Sequence, residues 1–193
     1  MEGIRRVYLF GDQTGEYDAG LRRLLHSKNN SLVTAFFQRC YHALRQEITK
    51  LPPSQRQIFP RFTSIVDLLA RYRESGVNPA LESALTCIYE LASFINYYGD
   101  LGHAYPSSDD SVIVGLCTGL LPSAAVSSSK TAGELIPIAV QTVVLALRLG
   151  LCVHSVRKLV DTGSSSSTSW SALVSGISES EALEKIQEYS SQQ

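Results

Sequence analysis

The sequence predicts an α/β fold, and three observations support this. The run RRVYLF is β-branched and aromatic and ends at Gly11, which predicts a buried strand over about residues 5–10. A second β-branched run, SVIVG, leads into a turn that holds Cys117. Elsewhere apolar residues recur with a period near 3.6, as in helices packed on a core. Strands mixed with helices are typical of α/β proteins, which keep their chemistry in the loops after strands.

The first helical region covers residues 18–50 and predicts two helices with a turn at Asn29 and Asn30. The apolar residues on their buried faces are Leu21, Leu24, Leu25, Val33, Phe36, Phe37 and Leu44. The segment LPPSQRQIFP has three prolines and predicts a loop. The pattern FTSIVDLLARYRES then predicts a helix that ends at Gly76.

Two long core helices follow. Asn78 and Pro79 predict the start of the first, as cap and first-turn proline, and it continues to Gly99 with Cys87 as a packing residue. Thr131 and Glu134 have capping-box spacing and predict the start of the second, which Pro137 bends near its beginning. Polar residues interrupt the apolar stretch 135–153 of this second helix, which indicates a core helix rather than a membrane span.

The chain is predicted to contain one main domain, residues 1–161, and part of a second. Residues 162–169 are a serine-rich linker, and residues 170–193 predict one strand, a turn and an amphipathic helix. A single strand and helix cannot cover their own apolar faces. They either dock on the main domain or belong to an incomplete small subdomain.

Composition excludes several functions. Lysine and arginine number 17 against 18 acidic residues, a balance that favours neither nucleic acid nor a membrane surface as partner. The four cysteines show no paired spacing, and no histidine lies at ligand spacing from them. We therefore expect no metal site and no disulfide framework, and a reducing, cytoplasmic setting.

Cys117 is the candidate nucleophile because Gly115 and Gly119 flank it in the pattern Gly-x-Cys-x-Gly, between a strand and a helix. Such a turn projects its central residue at a helix N-terminus, where backbone N–H groups favour negative charge and can hold an oxyanion. The loop GDQTG after the first strand offers a second donor, the backbone N–H of Gln13, beside that of Thr118. The alternative is a small buried cysteine between flexible neighbours.

Five segments together resemble the N-terminal part of the starter-unit acyl-carrier-protein transacylase (SAT) domain of fungal non-reducing polyketide synthases. These segments begin at VYLFGDQTG, LPPSQRQIFP, NPALESAL, IVGLCTG and AVQTVVLAL. The resemblance is strongest to synthases of naphthopyrone and tetrahydroxynaphthalene pigments, including melanin, which are products of secondary metabolism. It implies an α/β-hydrolase-like, malonyl-transacylase-type subdomain, with residues 170–193 as the start of an inserted ferredoxin-like subdomain.

The resemblance also implies the chemistry. An acyl group passes from CoA to a cysteine thioester on Cys117 and then to the phosphopantetheine thiol of the acyl carrier protein. Gln13 and the backbone N–H of Thr118 form the oxyanion hole. Acyl-CoA and phosphopantetheine are substrates, no cofactor is bound, and the carrier protein and ketosynthase of the parent synthase are the expected partners.

Two departures from the family pattern matter. Malonyl-type relatives carry an arginine about 25 residues after the nucleophile to pair with the substrate carboxylate. Here Gln141 and Thr142 fall near that point and the next arginine is Arg148, which favours an uncharged, acetyl-type starter. The family's catalytic histidine falls beyond Gln193, so we expect this chain alone to be weakly active or inactive.

Four histidines are present. His26 and His42 have charged neighbours and are expected in solvent, while His103 and His154 are the alternative bases. Two other functions stay open, a non-catalytic module that binds the carrier protein and a cysteine hydrolase or thioesterase that uses the same turn.

Overall fold

The computed structural model describes residues 6–11, 17–27, 30–75, 78–100, 105–107, 109–160, 176 and 178–190. Its two strands are β1 (Arg6–Phe10) and β2 (Ser111–Gly115). Its helices are α1 (Tyr17–His26), α2 (Ser31–Lys50), α3 (Pro53–Arg56), α4 (Ile65–Ser75), α5 (Pro79–Asp100), α6 (Leu120–Ser127), α7 (Ala132–Val160) and α8 (Glu179–Ser190). A single 3-10 turn, Cys117–Gly119, joins β2 to α6.

The strands pair in parallel, with Arg6 opposite Ser111 and Phe10 opposite Gly115. The prediction that the first strand is buried is wrong in part. Phe10 is buried, but Val7 and Leu9 are 67% and 64% exposed. In the part of the chain that the structure describes, helices cover only the sheet face on which Tyr8 and Phe10 pack against Phe94 of α5.

Helix α5 is the centre of the core, and it packs against α7, α2 and α1. Its fully buried side chains repeat at helical spacing and include Leu81, Leu85, Ile88, Leu91 and Ile95. Each such side chain contributes about 1.5–3 kcal/mol relative to an exposed one. Cys87 is buried on the same helix, which confirms its predicted packing role.

Caps begin α5 and α7 where the sequence predicts them, and α2 begins with a cap at the predicted turn. The Asn78 side chain accepts hydrogen bonds from the backbone N–H groups of Ala80 and Leu81. Asn30 caps α2 in the same way. At α7 the Glu134 N–H donates to Thr131 Oγ1, while the Glu134 carboxylate accepts from the Lys130 N–H. These bonds satisfy backbone donors that the first helical turn leaves without partners.

The prediction of an uninterrupted loop after α2 is wrong, because Pro53–Arg56 forms one helical turn. Proline is tolerated there because the N–H it lacks has no partner at a helix start. Residues 170–175, where a strand is predicted, lie outside the described residues. The chain divides into two units, Met1–Val160 and Asp161–Gln193, and α8 belongs to the second.

Helix α7 is long and apolar enough to cross a membrane, with a mean hydropathy of 2.0 over its most apolar window. Half of that window is buried within the protein. Leu135, Ala139, Val143 and Leu147 are fully buried. The contacts with α5, α2 and α6 account for the buried half of this helix as part of the core. Its other apolar side chains are exposed, namely Leu145, Leu149, Val153 and Val156.

A charged pair joins α7 to α2. Arg148 Nε lies 2.6 Å from Glu47 Oε1, and Lys50 Nζ lies 3.5 Å from Glu47 Oε2. The hydrogen bond from Arg148 holds the pKa of Glu47 below its ordinary value, although burial opposes this. The positive charges of Arg148 and Lys50 lower the pKa further. Glu47 therefore stabilises the fold as a carboxylate.

Glu47→Gln is expected to lower Tm by about 3 °C at pH 7. Since the pKa of Glu47 is lower in the folded chain, its stabilisation is present above the unfolded pKa of about 4.3 and is lost as pH falls through the folded value. The difference in Tm between wild type and Glu47→Gln should therefore become smaller as the pH is lowered from 7 to 3. Arg148→Gln should show the same narrowing in thermal unfolding, and a difference independent of pH would contradict this account.

Candidate active site

Cys117 occupies a strained turn between β2 and α6. Leu116 is still extended, with φ −113° and ψ 132°. Cys117 then turns to φ +51°, and it is the one non-glycine residue with positive φ among the described residues. This conformation costs an L-residue about 1–2 kcal/mol, and such strain is typical of functional sites. The Cys117 side chain is exposed, in contrast to the buried cysteine of the alternative interpretation.

Gly115 and Gly119 are required by close packing. A Cβ on Gly119 would lie 2.3 Å from the carbonyl carbon of Phe10 and 2.4 Å from the backbone nitrogen of Gly11. A Cβ on Gly115 would lie 2.3 Å from Ser123 Oγ and 2.6 Å from the Gly119 oxygen. The turn is therefore pressed against the end of β1 and against α6, and only glycine fits at either position.

The backbone after Cys117 enters the helix at once. The Gly119 N–H donates to the Leu116 oxygen at 2.8 Å, and the Leu120 N–H donates to the oxygens of Cys117 and Thr118. Thr118 is half-buried within the 3-10 turn. The Cys117 thiol is thus carried at the N-terminal end of α6, where the helix dipole favours negative charge.

The loop after β1 begins beside this turn. The Leu116 N–H donates to the Phe10 oxygen at 2.9 Å and extends the parallel pairing by one bond. Gly11 has φ +111°, and a Cβ there would lie 2.1 Å from the Leu116 oxygen. Gln13, the predicted oxyanion residue, lies outside the described residues.

Glu90 is a residue of this region that the sequence analysis did not select. It lies on α5, and its Oε1 accepts a hydrogen bond from the Gly11 N–H at 2.7 Å. A carboxylate flanked by the apolar residues Ile88, Leu91 and Ala92 of a core helix is the signal that could have found it. Glu90 and Gly11 also border a cavity of about 490 Å³ between β1 and α5, with Tyr17, Tyr89 and Tyr97.

The other cysteines differ from Cys117. Burial raises the pKa of the Cys40 and Cys87 thiols well above the ordinary value, so both are inert as nucleophiles. Cys152 is exposed on α7, away from any strand-to-helix turn. The described residues hold no group of three or more histidine, cysteine or acidic side chains that could bind a metal ion.

The histidines do not gather at Cys117 in the described residues. His26 and His42 are exposed on α1 and α2, as predicted. His154 lies one turn beyond Gly150, which packs against the backbone of Ala80 at the start of α5. Ala80 precedes Glu90 by ten residues, which is about 15 Å along the helix, and Glu90 is the α5 residue that bonds to Gly11 beside the cysteine turn. The contact between α7 and the start of α5 is therefore distant from that turn. His103 lies outside the described residues.

The residues near the expected arginine position lie on α7. Gln141 is exposed and borders a shallow groove with Glu47 and Lys50 of α2. The Thr142 hydroxyl donates to the Ile138 oxygen of its own helix. Arg148 borders the same groove and is held by Glu47.

An exposed cysteine on a glycine-flanked turn between a parallel strand and a helix has the geometry of the turns that carry nucleophiles in hydrolytic enzymes. Residues 8–193 match the family described as starter unit:ACP transacylase in aflatoxin biosynthesis, SAT. The chain belongs to this SAT family.

Relatives agree with this assignment. The chain is 67% identical over 190 residues to the non-reducing polyketide synthase albA of Aspergillus brasiliensis. The aligned residues cover 98% of this chain and 9% of the synthase. It is 67% identical over 189 residues to the conidial yellow pigment biosynthesis polyketide synthase melA of Penicillium expansum, again 98% of this chain and 9% of the synthase. The conidial pigment polyketide synthase alb1 of Aspergillus fumigatus is 62% identical over 186 residues, 96% of this chain and 9% of the synthase.

The chain therefore spans about a tenth of the length of these relatives. They are large synthases, and two of them are named for conidial pigment.

Proposed function

We propose that this chain carries the starter-unit acyltransferase site of an aromatic polyketide synthase, with Cys117 as nucleophile. The single observation that carries the proposal is the exposed cysteine at φ +51° on a turn whose flanking glycines admit no side chain. Membership of the SAT family supports the reaction class.

The reaction proceeds in two displacements. Cys117 Sγ, as thiolate, attacks the thioester carbonyl carbon of acyl-CoA, and the carbonyl oxygen becomes an oxyanion between the backbone N–H groups of Thr118 and Gln13. Collapse breaks the bond to the CoA sulfur, which leaves and takes a proton. The phosphopantetheine thiol of the acyl carrier protein then attacks the acyl-cysteine and releases Cys117.

The described histidines lie away from Cys117, and this supports a reaction in which the thiol proton passes to solvent and turnover is slow. Arg148 is engaged by Glu47, and Gln141 and Thr142 carry no charge, which supports an uncharged acetyl-type starter over malonyl. We also propose a cytoplasmic location, consistent with four free cysteines.

The family relation supports a larger architecture as well. We propose that β1 and β2 are part of an α/β-hydrolase-like sheet, and that residues 170–193 begin a ferredoxin-like subdomain. The ketosynthase and carrier protein of the parent synthase are the partners that this assignment implies.

The test is intact mass of the purified chain after incubation with acetyl-CoA, and in parallel with malonyl-CoA. We expect an acetyl adduct that transfers to added pantetheine. With malonyl-CoA we expect a smaller fraction of the protein to carry an adduct. Release of CoA without an adduct would favour the thioesterase function. If neither an adduct nor released CoA is found, in protein that circular dichroism shows to be folded, the result would favour a binding module without acyl transfer.

A further inference from the structure

We propose that a groove lined by arginines binds the diphosphate group of a small organic ligand. This arginine groove lies between α2 and α4, has a volume of about 810 Å³, and is bordered by Arg45, Arg56, Arg61 and Arg71. None of the described residues that border it belongs to the cysteine turn. The proposal therefore goes beyond acyl transfer and does not depend on it.

The four arginines come from four neighbouring segments of the chain. Arg45 lies on α2, Arg56 is the last residue of α3, Arg61 lies between α3 and α4, and Arg71 lies on α4. All four side chains are exposed, and all four border the same concave space. Its volume falls within the range of about 300–1,000 Å³ that is typical of sites for small molecules. The arginine groove therefore fits a compact ligand with several negative charges.

The arginine groove has an excess of positive charge. Asp67 is the one carboxylate among the described residues that border it. Asp67 Oδ1 lies 2.8 Å from Arg71 Nε, and Asp67 Oδ2 accepts a hydrogen bond from the Thr63 N–H at 2.8 Å. This pair leaves three of the four guanidinium charges without a carboxylate in the described groove, although the net charge of the chain is −1. Such a local concentration of charge attracts anions.

Neutral acceptors hold two of these three side chains in place without cancelling their charge. Arg45 Nη1 donates to the Tyr41 hydroxyl at 2.6 Å, and the guanidinium carbon lies 5.5 Å from the centre of the Tyr41 ring. Arg56 Nη2 donates to the backbone oxygens of Thr49 and Leu51, at 3.0 and 2.9 Å. A guanidinium has further N–H donors beyond these, on its other nitrogens. Because the side chains are already ordered, a ligand loses less entropy in binding them.

A diphosphate matches this set of donors. A guanidinium binds phosphate oxygens through two parallel, charge-assisted hydrogen bonds. A diphosphate presents two adjacent phosphate groups, so it can engage two or three of the arginines at once, whereas a monophosphate presents only one. Pro53 is exposed and Pro60 is half-buried in the wall of the groove, and both offer an apolar surface to the organic part of the ligand.

The experiment is isothermal titration of the chain with ADP, inorganic pyrophosphate and AMP as probes. It is carried out in magnesium-free buffer at about 50 mM salt, where charge interactions are only partly screened. We expect ADP and pyrophosphate to bind with a Kd below about 1 mM, and AMP to bind about tenfold more weakly than ADP. Equal affinity for ADP and pyrophosphate would show that the diphosphate alone is recognised, and tighter binding of ADP would show that the nucleoside also contacts the protein.

Variants of the arginines identify the site. Arg61→Gln and Arg45→Gln should each raise the Kd for ADP by about tenfold, because each removes charge-assisted hydrogen bonds to phosphate. Arg61→Lys keeps the charge but loses the planar pair of donors, so it should raise the Kd by about threefold. Arg39→Gln is the matched control, since Arg39 is exposed on α2 and does not border the groove, and it should bind ADP as wild type does.

Thermal unfolding without ligand shows whether each variant is folded. Arg61 is exposed and lies outside the helices, so Arg61→Gln should keep the wild-type Tm. The proposal would be overturned if the wild-type chain bound pyrophosphate but not ADP, if it bound neither, or if AMP bound as tightly as ADP. Wild-type affinity for ADP in both Arg61→Gln and Arg45→Gln would also overturn it, as would an equal loss of affinity in Arg39→Gln.

Discussion

Cys117→Ala is expected to abolish the acetyl adduct that forms with acetyl-CoA, with acylation at least about a thousandfold slower than in wild type. The reason is that the thioester bond forms at this sulfur, and the described structure offers no second thiol on a strand-to-helix turn. Cys40 and Cys87 are buried, and their thiols have raised pKa values. The measurement is intact mass, with peptide mapping of the adduct.

Cys152→Ala is the matched control, because Cys152 is the other exposed thiol of the chain. It should acetylate at the wild-type rate. Labelling that persists in Cys117→Ala but disappears in Cys152→Ala would identify a reactive surface thiol on α7 and would contradict the assignment of Cys117.

Gly119→Ala is expected to disrupt the site through packing alone. Gly119 has φ −66°, a conformation that alanine adopts readily, so backbone strain has no part in the effect. The added methyl group would instead overlap the backbone of Phe10 and Gly11, which cannot move without separating β1 from the cysteine turn. We expect acetylation at least about a hundredfold slower, and a free energy of unfolding lower by about 2 kcal/mol.

Gly133→Ala makes the same chemical change in open space. Its Cβ would meet only Thr131 Oγ1, at 3.8 Å, in the first turn of α7. It should keep full acetylation and raise the free energy of unfolding by up to about 1 kcal/mol. Urea unfolding and intact mass measure both quantities. Equal behaviour of the two variants would contradict the close packing of the turn against β1.

The helices could be read from the sequence because their signals are local. Asn78 and Thr131 precede helical patterns, and each caps the helix predicted for it, while Asn30 caps α2 at the predicted turn. The apolar period of α5 likewise identifies the side chains that are buried. Pro53 shows the limit of such reasoning, since proline breaks a helix interior but is accepted at a helix start.

The exposure of Val7 and Leu9 could not be read in the same way. An apolar, β-branched run predicts a strand, but its burial depends on what packs on each face of the sheet. That is a matter of contacts distant in sequence. The Glu47–Arg148 pair joins residues 101 positions apart and has no sequence signal for the same reason.

The features of the candidate site likewise fall into those that local sequence determines and those that depend on contacts distant in sequence. The resemblance of five segments of the sequence determined the SAT family. The Gly-x-Cys-x-Gly pattern determined the candidate nucleophile, because residue types and short spacings carry that information. Only the tertiary structure decided that Cys117 is exposed at positive φ, that Gly119 packs on the end of β1, and that Glu90 reaches Gly11 across 79 residues. Backbone angles at a turn and contacts between separate elements arise from packing in three dimensions, which no local pattern records.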